Sequence, residues 1–314
     1  MSSLRPVPDH KLTLIGEAVG VLNRIILGKE QQVRLALSCL LANGHLLIED
    51  IPGMGKTTLA HGLAKILGLD FERIQFTSDL LPADVLGVSV YEKETSRFTF
   101  HPGPIFAQLV LVDEINRATP KTQSALLEAM EERQVTVEGE SRPLPKPFFV
   151  IATENPAHQV GTFPLPESQL DRFLMRIRLG YPGPQAERQL LKGPSRQNLL
   201  KAVVPVLSAD MLQQMQDAVS KIHVSDALLD YVQALLGYTR RPGAYHSGLS
   251  PRAGLALKRA AQAWALLANR DHAVPEDVQA VFPAVATHRL RAQDAPQGNG
   301  DDFAQQIITD VPVK

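Results

Sequence analysis

The sequence has little cysteine, no long apolar run and no excess of either charge, and each shortage excludes something. Cys39 is the single cysteine among 314 residues, so an internal disulfide is excluded. Its place in the apolar run Val33–Leu41 indicates a core residue in a reducing compartment. No window reaches the ~18 unbroken apolar residues of a membrane-spanning helix, and the N-terminus lacks the apolar stretch of a signal peptide. We therefore expect no transmembrane segment and a cytoplasmic location.

The charges are almost balanced. Lysine and arginine total 32 and aspartate and glutamate total 33, a formal net charge of -1. Such a balance gives no overall reason to expect nucleic acid or an anionic membrane as a partner. Hydrophobic residues make up 44% and charged residues 21%, which is typical of folded globular chains. At roughly 100–200 residues per domain, the length predicts about two domains.

In the first half of the sequence, short apolar runs alternate with amphipathic helical patterns. Helical spacing occurs at 31–42 and 57–67, and strand-like runs occur at 45–48, 71–77, 108–112, 148–152 and 173–179. Near-continuous apolar strands separated by helices indicate a parallel sheet covered on both faces. Two further segments, 88–100 and 134–144, alternate apolar and polar residues around a polar centre. They predict surface hairpins inserted into this α/β domain.

A change of pattern at Pro182-Gly183-Pro184 predicts a domain boundary. Beyond it the spacing is helical only, at 185–192, 208–222, 225–239, 250–268 and 275–282. Ser208, Ser225 and Ser250 suit the N-caps of three of these helices. We therefore predict an α/β domain at 1–182, a small helical domain at 183–290 and a polar C-terminal tail at 291–314, weakly ordered or docked late.

The segment IEDIPGMGKTTLA at 48–60 lies between a predicted strand and a predicted helix, which is the context of a P-loop. Glycines let backbone N–H groups surround phosphate oxygens, and the helix N-terminus adds partial positive charge. Lys56 can reach the β- and γ-phosphates, and the Thr57 hydroxyl can ligate Mg²⁺. Asp50 departs from the pattern, since it stands where G-x-x-x-x-G-K-T has its first glycine. The predicted nucleotide-binding residues on the loop are Gly53, Met54, Gly55, Lys56, Thr57 and Thr58.

Two later strands also end in polar groups. LVLVDEIN at 109–116 ends in Asp113, which suits the Mg²⁺ shell, and Glu114, which can accept a proton from an attacking water. FVIATENP at 149–156 ends in Asn155, whose amide can orient that water against the γ-phosphate. Because strand ends of a parallel sheet meet at one crevice, we expect these side chains beside the P-loop.

The ordered set GMGKTT, LVLVDEIN, FVIATENP, LPESQLDRF (165–173) and LSPRAGLAL (249–257) resembles the AAA+ ATPases and, within them, the MoxR family. The likeness covers roughly residues 20–290. It implies a P-loop NTPase core with β-hairpin inserts, of the clade that includes magnesium-chelatase ATPase subunits, followed by a small all-α lid domain. ATP and Mg²⁺ are the implied cofactors.

The resemblance also implies roles for individual residues. Asn155 would be sensor 1, and Arg172 the arginine finger given to a neighbouring subunit, with Arg117 as a competitor for that role. Arg252 would be sensor 2 on the lid, binding the nucleotide and coupling the lid angle to hydrolysis. Residues 26–28 would pack on adenine, as the corresponding segment of the family does.

The family further implies a ring, a hexamer in our expectation, with a chaperone-like role of remodelling or activating a protein client. Such clients often carry a von Willebrand factor A domain, and the family sometimes assists metal insertion. The alternatives are a nucleic-acid motor, a magnesium-chelatase-like ATPase subunit, a small-molecule P-loop kinase and a nucleotide-binding scaffold without hydrolysis. Nucleic acid is disfavoured because neither hairpin carries a convincing run of basic residues.

Overall fold

The computed structural model describes residues 9–155, 161–241, 245, 247–290 and 300–313. In these ranges the strands are β1 (His45–Glu49), β2 (Phe71–Gln75), β3 (Gly87–Glu92), β4 (Arg97–Pro102), β5 (Leu109–Asp113), β6 (Gln134–Val137), β7 (Glu140–Pro143), β8 (Phe149–Glu154) and β9 (Phe173–Ile177).

Five of these strands form one parallel sheet in the order β2-β5-β8-β1-β9. The four strands β5, β8, β1 and β9 bury nearly continuous apolar side chains, and neighbours along a strand enter cores on opposite faces. On β1, for example, Leu46 and Ile48 belong to one core and Leu47 to the other. On the edge strand β2 only Ile74 is buried. The predicted α/β fold class with a doubly covered parallel sheet is confirmed. We call the side where the strands end the carboxyl edge, and the opposite side the amino edge.

The described helices are α1 (Asp9–Ile25), α2 (Glu30–Leu41), α3 (Lys56–Ile66), α4 (Pro82–Leu86), α5 (Pro120–Glu132), α6 (Glu167–Leu170), α7 (Pro184–Lys192), α8 (Arg196–Lys201), α9 (Ala209–Val219), α10 (Asp226–Thr239), α11 (Pro251–Leu267), α12 (Pro275–Ala286) and α13 (Gly300–Asp310). Six of them, α1, α4, α5, α6, α8 and α13, are additional to the helices predicted from the sequence. Within the described residues, no helix combines the length and apolarity needed to cross a bilayer.

The two predicted hairpins are present. β3 pairs with β4 and β6 pairs with β7, each antiparallel, as two small sheets apart from the main one. The guanidinium of Arg142 lies 4.1 Å from the ring centre of Phe100, so the two hairpins touch. Val90 and Phe98 on the first hairpin are exposed.

The predicted boundary at Pro182-Gly183-Pro184 lies between β9 and α7, and the described elements that follow it are all helices. The hydroxyls of Ser208, Ser225 and Ser250 accept backbone N–H groups at the starts of α9, α10 and α11, at 3.3, 3.2 and 3.1 Å, which confirms the three N-caps. α11 packs against α12 and also against α2 of the α/β part, so one apolar core runs through both.

The C-terminal segment, which we expected to be a polar tail, weakly ordered or docked late, contains a helix. Residues 300–310 form α13, and Ala304, Ile307 and Val311 are buried against the helical part. The hydroxyl of Tyr238 on α10 donates to the Asp310 carboxylate at 2.5 Å. The apolar spacing of i, i+3 and i+7 gives this polar segment a face that can be buried, and burial holds it in place.

Candidate functional site

The phosphate loop, residues 50–58, joins the end of β1 to the first turn of α3. Gly53 and Gly55 have φ angles of 86° and 91°, in the left-handed region that strains any side chain. Gly55 is also the N-cap of α3, and no described side chain bonds to that helix end. The first-turn N–H groups, which lack intrahelical partners, are therefore available to an anion. All six predicted binding residues lie on this loop: Gly53, Met54, Gly55, Lys56, Thr57 and Thr58.

Asp50, the departure from the usual glycine, holds the start of the loop in place. Its Oδ1 accepts the N–H of Ile51 at 2.9 Å, and its Oδ2 accepts the N–H of Gly180 at 2.6 Å. A glycine could make neither bond. The carboxylate therefore ties the loop to the chain beyond β9, next to the start of the helical part.

Lys56 points back toward the ends of β1 and β8. Its Nζ donates to the carbonyl oxygens of Asp50 at 2.5 Å and Glu154 at 3.5 Å. Burial lowers the pKa of Lys56 below its ordinary value, and the neighbouring carboxylates oppose that shift. Thr57 follows it and is exposed on the same turn of α3. The ammonium and the hydroxyl thus both stand where phosphate and Mg²⁺ would meet the loop.

The two acids after β5 are arranged around Thr153 of β8. The buried hydroxyl of Thr153 donates to Asp113 Oδ1 at 3.1 Å and accepts the N–H of Glu114 at 3.0 Å. Glu114 has a φ of 56°, an uncommon angle for a residue with a side chain, and that hydrogen bond helps to hold it. Thr153 is a site residue that the sequence reading did not single out.

Each acid also pairs with an arginine. Arg73 Nε on β2 donates to Asp113 Oδ2 at 2.7 Å, and Arg117 Nε donates to Glu114 Oε2 at 2.6 Å. Gln75 lies at 3.5 Å from the same Glu114 oxygen. Arg117 therefore stands at the carboxyl edge, beside the predicted base of its own chain.

Asn155 is buried at the end of β8, next to these acids in the strand order. Its neighbour Glu154 has a raised pKa, because of burial first and the nearby Glu49 carboxylate second, with Arg176 acting in the opposite direction. Glu49 itself accepts Arg176 at 2.7 Å and Arg178 Nε at 3.0 Å. The sequence reading missed this cluster, since its partners lie about 130 residues apart.

Residues 26–28, the predicted adenine segment, lie against the start of the helical part. Gly28 has a φ of 69°, and a Cβ there would stand 2.8 Å from the Ala186 Cβ of α7. The next residue, Lys29, donates from Nζ to the Tyr181 carbonyl at 2.6 Å. Since Asp50 bonds to Gly180, this segment and the phosphate loop meet the same stretch of chain.

The two predicted arginines lie elsewhere, at the amino edge. Arg172 directly precedes β9, and its Nε donates to Glu131 Oε2 at 2.7 Å. Arg252 at the start of α11 donates from a terminal nitrogen to Glu131 Oε1 at 3.1 Å. A five-residue strand is roughly 16 Å long, so about that distance separates this pair from the phosphate loop of its own chain. As sensor 2, Arg252 was expected to bind the nucleotide. It does not lie beside the phosphate loop of its own chain, because α11 begins at the other end of the sheet.

A cavity of about 520 Å³ opens beside these arginines. Among the described residues that line it, six carry positive charge, Arg133, Arg172, Arg252, Lys258, Arg259 and Arg289, against the two carboxylates of Glu131 and Asp171. Asp171 Oδ1 accepts Arg289 Nε at 2.6 Å. The side chain of Leu255, at the same surface, is 70% exposed. The amino edge is thus a basic concave surface that could receive an anion.

Comparisons with known proteins agree with this architecture. Residues 45–175 match the model of the ATPase family associated with various cellular activities (AAA), and residues 238–311 match the AAA lid domain. The chain is 47% identical to the uncharacterized protein YeaC of Bacillus subtilis over 95% of this chain and 93% of that one. It is 41% identical to Chaperone MoxR1 of Mycobacterium tuberculosis over 87% and 74% of the two chains. A solved structure from Cytophaga hutchinsonii, provisionally named an ATPase, has a TM-score of 0.88 and 34% identity, with 97% and 96% coverage.

A phosphate loop and paired acids on a parallel sheet, followed by a helical lid, define an ATPase of the AAA+ class. Protein MoxR of Methylorubrum extorquens is 33% identical over 99% of both chains. With the mycobacterial relative, it shows the narrower group: the chain belongs to the MoxR family of AAA+ ATPases.

Proposed function

We propose that this chain hydrolyses ATP to ADP and phosphate at a site that two neighbouring copies complete. The observation that carries the proposal is the separation of the predicted site residues into two groups. The phosphate loop, Asp113, Glu114 and Asn155 lie at the carboxyl edge, and Arg172 and Arg252 lie together at the amino edge. Contact of one copy's amino edge with the next copy's carboxyl edge would join both groups around one nucleotide.

The residues of the carboxyl edge fit ATP and Mg²⁺. The loop amides and Lys56 would bind the phosphates, and Thr57 and Asp113 would hold the metal, which when bound neutralises charge on the phosphates. Glu114 would accept a proton from the attacking water, with Asn155 orienting that water. In the present arrangement Arg117 engages the carboxylate of Glu114, so this side chain would have to move before Glu114 acts as a base.

The neighbouring copy would supply the guanidinium groups. A planar guanidinium matches the equatorial oxygens of a transferring phosphoryl group, which carry the developing charge. Repeated contact between unlike edges closes a ring when the rotation between copies permits, and we propose a hexamer. In this arrangement Arg252 acts on the nucleotide of the next copy.

We further propose that the ring remodels or activates a protein client in the cytoplasm. A relative named Chaperone MoxR1 supports a chaperone-like role. The near-neutral net charge and the few basic residues on the two hairpins disfavour a long polyanion. A client with a von Willebrand factor A domain, and help with metal insertion, remain specific proposals within this role.

The shared site is tested by mixing two inactive variants. Lys56→Ala removes the phosphate-binding ammonium and keeps both arginines, whereas Arg172→Ala keeps the ammonium and removes one of the two arginines. We expect each variant alone to turn over ATP at least tenfold more slowly than the unaltered chain. Mixed together, they should recover a fraction of the activity at interfaces that carry one intact half from each. No recovery at any mixing ratio would rule out an arginine given to a neighbour.

The client proposal is tested with Glu114→Gln, which should bind ATP without hydrolysing it and should stabilise the ring. A protein captured by this variant with ATP should be absent when Lys56→Ala is used instead. Equal capture by both variants would indicate binding that does not depend on nucleotide, against a remodelling motor.

A further inference from the structure

The carboxylate of Glu131 is the point where both amino-edge arginines meet. It accepts Arg172 Nε on one oxygen at 2.7 Å and a terminal nitrogen of Arg252 on the other at 3.1 Å. These hydrogen bonds, Arg172 first, hold the pKa of Glu131 below its ordinary value, so the group is ionised at neutral pH. One carboxylate thus fixes two cations, from the α/β part and from the lid, side by side.

The hydrogen bonds leave the outer nitrogens of the two arginines available. Arg172 uses Nε, and within the described residues its two terminal nitrogens have no hydrogen-bond partner. Arg252 uses one terminal nitrogen, and its Nε lies 3.9 Å from Asp171, which leaves the other terminal nitrogen without a described partner. A phosphate approaching from outside can therefore be bound by both guanidinium groups without displacing Glu131.

The stability of α5 gives no reason for an acid at this position. Glu131 lies in the last turn of α5, where the partial negative charge of the helix terminus disfavours a carboxylate. It is also about one-third exposed, so it fills no core. The ion pairs with Arg172 and Arg252 explain why an acid stands at this position, and both arginines belong to the predicted site residues at the amino edge.

We propose that Glu131 is a positioning residue for the shared ATP site, holding Arg172 and Arg252 in one geometry for the phosphate of the neighbouring copy. This inference rests on the proposed shared site. Without Glu131 the two arginines would each sample many rotamers, and their alignment with one phosphate would be lost. Glu131 itself touches no substrate.

The test uses mixed samples in which the two halves of the site come from different variants. The acceptor is Arg172→Ala, which provides an intact phosphate loop. The donor is Lys56→Ala, which provides intact arginines, and it is also prepared with Glu131→Gln or, as a matched control, with Glu132→Gln. Glu132 is the next residue of α5 and is exposed, so the control makes the same chemical change one position away.

We expect Glu131→Gln on the donor to lower the recovered ATP turnover about tenfold or more. Glu132→Gln on the donor, or Glu131→Gln on the acceptor, should leave it unchanged. Full recovery with the Glu131→Gln donor would overturn the inference, while failure of the parent donor and acceptor to recover would overturn the shared site itself. If Glu131→Gln abolishes recovery on the acceptor as well as on the donor, Glu131 has a general structural role, and the inference about Glu131 is overturned. The recovered ATP turnover is also measured with Glu131→Ala, once on the donor and once on the acceptor, as a second test of the same residue.

Discussion

The single hydroxyl of Thr153 bonds to both Asp113 and Glu114, so one substitution there perturbs both acids. Thr153→Val keeps the size of the side chain and removes two hydrogen bonds, the one to Asp113 at 3.1 Å and the one from the Glu114 N–H at 3.0 Å. Losing a bond to a charged group costs about 1.5–3 kcal/mol, and an unpaired buried N–H costs about 1–3 kcal/mol. Because effects at neighbouring groups are not additive, we expect about 2–4 kcal/mol in the free energy of unfolding.

The matched control is Thr153→Ser, which keeps the hydroxyl and deletes one methyl group, at a cost of about 1 kcal/mol. At about 2–4 °C per kcal/mol, the valine variant should melt roughly 5 °C below the serine variant. It should also turn over ATP at least tenfold more slowly, since Glu114 loses the bond that holds its backbone. Thermal melts and ATPase rates of both variants measure this. Equal melting temperatures and rates for valine and serine would refute the reasoning.

Two further variants test the interface and the buried acid. Leu255→Asp places a charge at the exposed amino edge and should reduce both ring assembly on size-exclusion chromatography and ATP turnover, while Leu229→Asp on α10, also exposed, should change neither. Glu154 has a pKa raised by burial, so its ionisation opposes folding as pH rises through that pKa. Glu154→Gln should therefore melt above the unaltered chain near neutral pH, and the gain should vanish towards pH 4.5, the ordinary pKa; a gain that is independent of pH would contradict this.

The sheet and the carboxyl-edge site were predictable because both follow from local sequence. Buried parallel strands are short apolar runs, and the polar residues that follow them converge wherever those strands align. This reasoning brings Lys56, Asp113, Glu114 and Asn155 to one edge, where the structure has them. It did not find α1, whose two interior glycines weaken the helical pattern, nor α13, although Ala304 and Ile307 carried helical spacing.

What escaped the sequence reading depends on contacts between distant segments. The partner of Asp50 is Gly180, and Glu131 pairs with Arg252, 121 residues later. The position of Arg252 is set by the packing of α11 against α2 and α12, which no local pattern encodes. Motifs therefore identified the arginine, while tertiary packing determined which edge of the sheet it occupies.

The position of Arg252 changes which copy should respond to hydrolysis. Arg172 belongs to the α/β part and Arg252 to the lid, and both would bind the phosphate of a neighbouring copy. Together with Glu131, that phosphate would hold the lid of the copy that supplies the arginines against the α/β part of the same copy. Cleavage of ATP and release of the phosphate would remove this contact, so we expect hydrolysis in one copy to alter the lid angle in the next. In the proposed ring, each hydrolysis step would therefore be passed to the next copy through the shared site.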